Sequence, residues 1–259
     1  MNFDILDAQM RQYETQNDVF VASDVFIVAR LDGRNFTRLT KEKLDLKKPF
    51  DIKMHKAMLE TTQHLMTCGF RVAYGYTQSD EISLLLHPDD NSFSRKERKL
   101  LSVMAGEGSA KLSLELNAMA CFDNRLCLLP DLQTVVDYFR WRAEDAHRNA
   151  LNAYCYWTLR DENQSPSATA QRLEQLSIED KIALLQKRNI TFQHIPRWQK
   201  RGSGLSWTTQ IVEGFNPHLQ QSESTERRVL KIEDELPESD NYSAFIRTIC
   251  ETAFASFVA

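Results

Sequence analysis

Acidic side chains stand at unusual places in two apolar runs. VFIVARLD (25–32) ends on Asp32, and YGYTQSDEISLLL (74–86) puts Asp80 and Glu81 at the head of an apolar stretch. β-Branched and aromatic runs bounded by turn formers read as buried strands, so these acids fall at strand ends. If the two strands pair, Asp32 and Asp80 converge. Two such carboxylates suit magnesium, which takes oxygen ligands and leaves positions for water and phosphate. The Gly33 carbonyl is a further candidate oxygen, since a residue without a side chain allows close approach. By alternation Asp80, Ile82, Leu84 and Leu86 share one strand face and Glu81, Ser83 and Leu85 the other. Asp80 is then the direct partner of Asp32, and Glu81 either reaches the metal through a local distortion or holds a nearby cation. The plainer alternative is that arginines such as Arg30 and Arg34 satisfy these acids, and spacing alone leaves both readings open.

The surroundings add phosphate chemistry. GRNF, directly after Asp32, is a glycine-opened turn whose N–H groups could cradle phosphate oxygens. Lys47, Lys48, Arg95, Lys96 and Lys99 supply cations from two further segments, although any one lysine is more simply part of a solvated face. Together they suit a two-metal nucleotidyl-transfer site, with ions about 4 Å apart at the attacking and leaving oxygens.

At these residues the sequence resembles the tRNA-histidine guanylyltransferase family, and within it the bacterial and archaeal-type guanylyltransferase-like 3′-to-5′ polymerases. The similar segments are RLDGRNF, KPFD, YGYTQSDEISLLL, FSRKERK and DYFRWRAEDAHRNALNAYCYW, then NITFQHIPRWQKRG, in consistent order across residues 20–205. The resemblance implies a palm-like polymerase/cyclase core in which Asp32, the Gly33 carbonyl and Asp80 hold two Mg2+ ions, with Glu81 beside them as a further catalytic acid. It assigns nucleotide contacts to Gly33, Arg34, Asn35, Phe36, Lys48, Asp51, Ser79, Arg95 and Lys99, and tRNA binding or activation to His147 and Asn149. Read on its own, His147 is equally a helix residue bonded inside a packed layer. Arg197, Lys200 and Arg201, with Trp198 between them, could grip an RNA backbone and stack on a base.

The same resemblance implies tRNA as partner, and ATP and GTP or other nucleoside triphosphates as substrates. ATP would adenylylate a 5′-monophosphate, and the 3′-hydroxyl of an incoming nucleotide would then displace AMP. It also implies a homotetramer or homodimer. HRNALNA (147–153) stands where the tRNA-histidine enzymes read HINNLYN, and Thr37 alters the position after GRNF. These departures favour template-dependent repair of 5′-truncated tRNA over addition of the extra guanosine to tRNA-histidine. A palm-fold nucleotide cyclase and a non-catalytic RNA-binding module are the alternatives from outside this reaction.

The elements that must hold these residues follow from pattern. A strand over 25–32 precedes a helix started by Pro49 and Asp51, with Met54, Met58, Leu65 and Met66 on one face. FRVAYGY and DEISLLL read as a hairpin joined by TQS. Ser94 and Glu97 form a capping-box signature for a helix reaching 116, where Gly106 and Gly108 allow close packing. AMACFDNRLCLL reads as a second hairpin around Asp123 and Asn124, and a long helix covers 134–160. The class is α+β: a largely antiparallel sheet packed against helices. Residues 1–160 form the catalytic core. After the polar break DENQSPSATAQ, residues 161–259 add helices and strands packed on that core.

The 259 residues carry a net charge of −4, which excludes a whole-surface electrostatic grip on nucleic acid and leaves local basic patches. Five scattered cysteines without a CxxC pair, and the lack of a signal-like start, read as a reduced, cytoplasmic chain. No apolar run approaches the roughly 20 residues of a membrane span.

Overall fold

Strand alternation sets the architecture of the computed structural model, which describes residues 2–40, 44, 46–216 and 221–255. In chain order the elements are α1 (Phe3–Thr15), β1 (Phe26–Gly33), α2 (Phe36–Arg38), α3 (Ile52–Thr67), β2 (Val72–Gln78) and β3 (Glu81–Leu86). Then come α4 (Glu97–Leu116), β4 (Phe122–Leu129), α5 (Leu132–Asp161), α6 (Pro166–Glu174) and α7 (Ile178–Gln186). The chain closes with α8 (Arg197–Arg201), β5 (Ser203–Asn216), β6 (Gln221–Glu233) and α9 (Ser239–Ala253). All pairings are antiparallel, in the order β4-β1-β3-β2-β5-β6. The first four strands with α3 and α4 make a β-α-β-β-α-β unit of the ferredoxin-like kind.

Each strand sends alternate residues into different cores. Ile27, Ala29 and Leu31 of β1 and Ile82, Leu84 and Leu86 of β3 pack beneath α3 and α4, with Met58, Leu65, Leu100 and Met104. Val28 and Leu85 face the other way, onto Val135 and Phe139 of α5 and Tyr242 and Ile246 of α9. Each fully buried Leu, Ile or Phe contributes about 1.5–3 kcal/mol, so both cores hold the strands in register. The far half of α5 leaves the sheet and builds a third apolar cluster with α6 and α7.

Local signals explain several boundaries. The Asp51 carboxylate caps α3 by accepting from the Lys53 amide at 2.7 Å, and Asp131 caps α5 through the Thr134 amide at 2.7 Å. Ser177 and Asp180 close a capping box on α7. The Ser94 and Glu97 box does not form: Ser94 sits in a left-handed kink (φ 53°), and α4 starts after Lys96. Of the two glycines in α4, only Gly108 is packed tightly, where a Cβ would lie 3.0 Å from Leu31.

The second expected hairpin is a single strand. Phe26 to Gly33 of β1 pair without interruption with Leu129 to Phe122 of β4, so Asp123 and Asn124 are strand residues rather than turn residues. The continuous edge of β1 overrides their turn preference, and the Asn124 amide is taken up by the Leu100 and Leu101 carbonyls at 3.3 and 3.2 Å. The first hairpin forms with a shifted turn: Gln78 pairs with Glu81, leaving Ser79 and Asp80 as the loop. β5 joins β2 only through residues 203–206, whereas β5 and β6 stay paired out to Asn216 and Gln221 as a two-stranded ribbon. Among the described residues no helix is long and apolar enough to cross a membrane.

Candidate active site

The acids gather at the end of the sheet, in a different pairing from the one alternation alone suggests. In register, Asp32 stands opposite Glu81 on one side and Asp123 on the other. Asp80 lies beyond the last pair, in a turn opened by Ser79 in the left-handed region (φ 57°). The Gly33 amide donates to the Asp80 carbonyl at 3.0 Å and the Arg34 amide to the Cys121 carbonyl at 2.8 Å. These two bonds join three chain segments into one rim.

Burial raises the Asp80 carboxyl from 3.8 to about 6; a hydrogen bond from Ser79 opposes this, and the nearby charges of Asp32 and Glu81 add to it. Asp32 is more open and lies 3.7 Å from the Arg125 guanidinium, which also sits 3.4 Å from Asp123. A desolvated carboxylate with a second carboxylate charge beside it forms an all-oxygen donor set that suits a hard divalent cation. Asp32 and Asp80 therefore offer donors of the kind that fit magnesium.

Glu81 does not join that set. Arg142 Nε donates to Oε1 at 2.7 Å and its Nη2 to Oε2 at 2.7 Å, while Arg30 Nη2 reaches Oε2 at 2.6 Å. Glu81 and Arg142 are each only 8% exposed. The expectation of a catalytic acid beside the metals is corrected: both oxygens of Glu81 are held by arginines on the α5 side of the sheet. The same face carries Ser83, bonded to the Tyr138 hydroxyl at 3.0 Å. Arg30 thus satisfies an acid, as the plainer reading required, but that acid is Glu81.

On the opposite face Asp80 and Ser79 form one lip of a cleft of about 160 Å³, walled by Lys48, Asp51, His55 and Trp198. Trp198 stacks on His55 at 4.2 Å and 17°, a flat aromatic pair beside the carboxylates. His55 Nε2 is 3.3 Å from Asp234 Oδ1 but outside hydrogen-bond geometry, and burial lowers the affinity of its imidazole for a proton. Lys48 Nζ donates to the Thr40 carbonyl at 3.1 Å and lies 5.7 Å from the Trp157 ring. Asp51 accepts from the Lys47 amide at 2.7 Å besides capping α3, so it shapes the cleft wall.

The other candidates divide. Phe36 is core, 5.6 Å from Phe122, and its ring covers Gly33 so tightly that a Cβ there would lie 2.4 Å from it. Gly33→Ala is expected to cost about 1–3 kcal/mol through overpacking and to displace the adjacent Asp32; equal urea midpoints for mutant and wild type would contradict the packing role. Arg34 and Asn35 are exposed and line a different hollow with Arg38 and Cys121.

The expectation for Arg95 is corrected in its geometry: its guanidinium is buried and donates to the Val21, Ala22, Val25 and Pro88 carbonyls, so it ties the chain before β1. Lys99 lies 5.9 Å from the Phe93 ring, outside the cleft wall. Lys200 and Arg201 are likewise turned inward, toward the Gln193 carbonyl at 2.9 Å and the Pro237 carbonyl at 3.0 Å. Arg201 also meets Glu144 at 3.3 Å and Arg197 meets Glu235 at 3.5 Å, so this cluster fastens α8 rather than presenting a basic face to RNA. His147 packs edge-on against Phe192 at 5.3 Å, and burial together with Arg201 lowers its proton affinity. Asn149 is exposed and donates to Asp145 at 3.2 Å.

Sequence reading passed over Asp123, hidden in a misread turn, and His55. One signal for His55 was available: it follows the cap Asp51 by four residues, and one helical turn places the two on the same side.

Comparison with known proteins bears on this geometry. Residues 7–130 match the family described as tRNAHis guanylyltransferase, and residues 133–242 match the Thg1 C terminal domain. A tRNA(His) guanylyltransferase of Debaryomyces hansenii is 32% identical over 161 residues, covering 58% of this chain and 60% of that protein. A probable tRNA(His) guanylyltransferase of Mus musculus is 29% identical over 209 residues, covering 76% and 69%. The match thus spans under two thirds of the yeast relative's length. Among solved structures, a bacterial tRNA(His) guanylyltransferase (Thg1)-like protein in complex with ATP superposes with a TM-score of 0.72 at 24% identity, covering 95% and 99% of the chains. The tRNA(His) guanylyltransferase of Saccharomyces cerevisiae gives 0.67 at 25% identity, covering 75% and 90%.

Proposed function

The chain belongs to the tRNA(His) guanylyltransferase family, and on that premise we propose that it is a magnesium-dependent 3′-to-5′ nucleotidyltransferase that extends the 5′ end of tRNA. The observation that carries this reading is the desolvated Asp80 carboxyl, which feels the charge of Asp32 and stands at the lip of the aromatic-walled cleft. Bound there, magnesium would neutralise phosphate charge and favour ionisation of an attacking hydroxyl.

The chain's own residues supply positioning. Ser79 and the Gly33 amide fix the Asp80 turn, so the carboxylate needs little reorganisation when charge develops on phosphate. Lys48, at the cleft wall, supplies a cation toward the triphosphate, and the Trp198 and His55 pair offers a flat surface for a base. Activation joins the 5′-phosphate oxygen of the RNA to the α-phosphorus of ATP and releases pyrophosphate. In the second step the 3′-hydroxyl of an incoming nucleotide attacks the activated 5′-phosphorus, losing its proton as AMP departs.

Template-dependent repair is the reading favoured among the family's uses. Ala150, where the tRNA-histidine enzymes have an asparagine, is fully buried in the apolar cluster of α5, α6 and α7. An asparagine amide there would lack water and a ready partner.

The test incubates the protein with magnesium, ATP, the remaining nucleoside triphosphates and a series of 5′-truncated tRNAs. Extension that stops at a complete acceptor stem and follows the opposing base is expected. Added bases indifferent to the opposing nucleotide would refute templating, and cyclic nucleotide formed without RNA would refute the polymerase reading.

A further inference from the structure

α3 and α4 lie side by side over the sheet, and their facing surfaces bring together an imidazole, a thiol and a carboxylate. His64 and Cys68 are four residues apart at the end of α3, a spacing that puts both on one helix face, and Glu107 meets them from α4. One ligand atom from each of the three lies within 4.8 Å of the others, and His64 Nε2 is 2.7 Å from Glu107 Oε2. Among the described residues this is the one cluster of His, Cys, Asp and Glu with that convergence. We propose that His64, Cys68 and Glu107 form a second metal site, for a borderline divalent ion of the zinc class, separate from the carboxylate centre.

The donor set decides the ion. Magnesium and calcium take oxygen, whereas a mixed nitrogen, sulfur and oxygen set favours zinc and its neighbours. Bonds of about 2.0–2.3 Å at tetrahedral angles put ligand atoms about 3.3–3.8 Å apart. The separations here bracket that range, so modest side-chain rotations suffice. All three residues are partly open to solvent, which leaves a fourth position for water, as in three-ligand zinc sites. On binding, the thiol proton and any proton shared by His64 and Glu107 pass to solvent.

The site is remote from the cleft. His64 follows Asp51 by thirteen residues along α3, or about 20 Å at 1.5 Å per residue. A metal here would clip the end of α3 to α4 and brace the helix layer whose other end forms the cleft wall. Its role is structural, and nucleotide addition does not depend on it chemically.

The experiment titrates full-length protein with zinc chloride against a chromophoric chelator, and in parallel with cobalt(II) chloride, reading the thiolate-to-cobalt charge-transfer band. One equivalent of tightly held zinc and a charge-transfer band are expected. At about a hundredfold excess over Kd, Tm should rise by about 5 °C. Cys68→Ser should abolish the band and weaken zinc at least tenfold, Glu107→Gln should weaken zinc while keeping the band, and millimolar magnesium should not compete. Asp32→Asn should leave the zinc titration unchanged. An unaltered titration in Cys68→Ser would overturn the proposal. So would a wild-type cobalt complex without the band, a measurement independent of whether the serine variant folds.

Discussion

Asp80→Asn is expected to abolish nucleotide addition and, in the same molecule, to stabilise the protein when magnesium is removed. The first effect follows from losing one of two carboxylates that fit the metal: several kcal/mol of charge stabilisation correspond to on the order of 10³-fold or more in rate. The second follows from burial. The folded protein holds the Asp80 proton more tightly than the unfolded chain, with the carboxyl raised from 3.8 to about 6. Between those values the folded state binds more protons, so stability falls as pH rises through the window and the full penalty persists above about 6. A shift of about two units corresponds to at most about 3 kcal/mol. Urea unfolding in EDTA should show wild type losing stability from pH 4 to pH 7 relative to Asp80→Asn. Added magnesium should restore wild type and leave the variant unmoved. A variant no more stable than wild type at pH 7 would remove the case that this carboxylate needs a cation. Asp32→Asn should be equally inactive without the stability gain expected of Asp80→Asn, because Asp32 is more open and has Arg125 nearby.

The largest loss of stability is expected from Glu81→Gln. The change leaves the buried Arg142 and the adjacent Arg30 facing a neutral amide, and removing one partner of a buried ion pair typically costs about 3–5 kcal/mol. Arg142 retains Asp145 at 3.3 Å, which puts the expected value near the lower end, about 3 kcal/mol. Arg142→Met should cost a similar amount. The double substitution Glu81→Gln with Arg142→Met should cost less than the sum of its parts, since no single charge is stranded as fully. Urea unfolding of the four proteins gives the coupling directly. A Glu81→Gln cost below about 1 kcal/mol would mean that the triad is as weak as a solvated pair. Activity should also fall in these variants, through movement of the neighbouring Asp80 turn.

These two acids show what the sequence made legible. Alternation along DEISLLL separated Asp80 from Glu81, and that separation is the main fact of the site. The strands around Asp32 and the helices begun by Asp51 and Ser177 follow from pattern and caps. Turn placement was less legible, because Asp123 and Asn124 carry local turn propensity that the open edge of β1 overrides. The buried cations were least legible. Arg95 looks like a phosphate ligand beside lysines, but the carbonyls it serves at Val21, Ala22 and Val25 lie 70 to 74 positions away along the chain. No local pattern encodes such a partner. The same holds for Arg201, whose Pro237 carbonyl comes from the segment before α9.

The Arg30, Glu81 and Arg142 triad also has a meaning for folding. Side chains repeat every two residues along a strand, so a slip of one position in β3 would exchange the two neighbouring acids. Asp80, one methylene shorter, would then face the arginines, and Glu81 would face the cleft. The slipped pairing would strand buried charge and also send Ile82, Leu84 and Leu86 away from their core. The triad therefore works as a parity check on strand pairing: the hairpin closes with its charges satisfied only in the register that leaves Asp80 at the open end of the sheet.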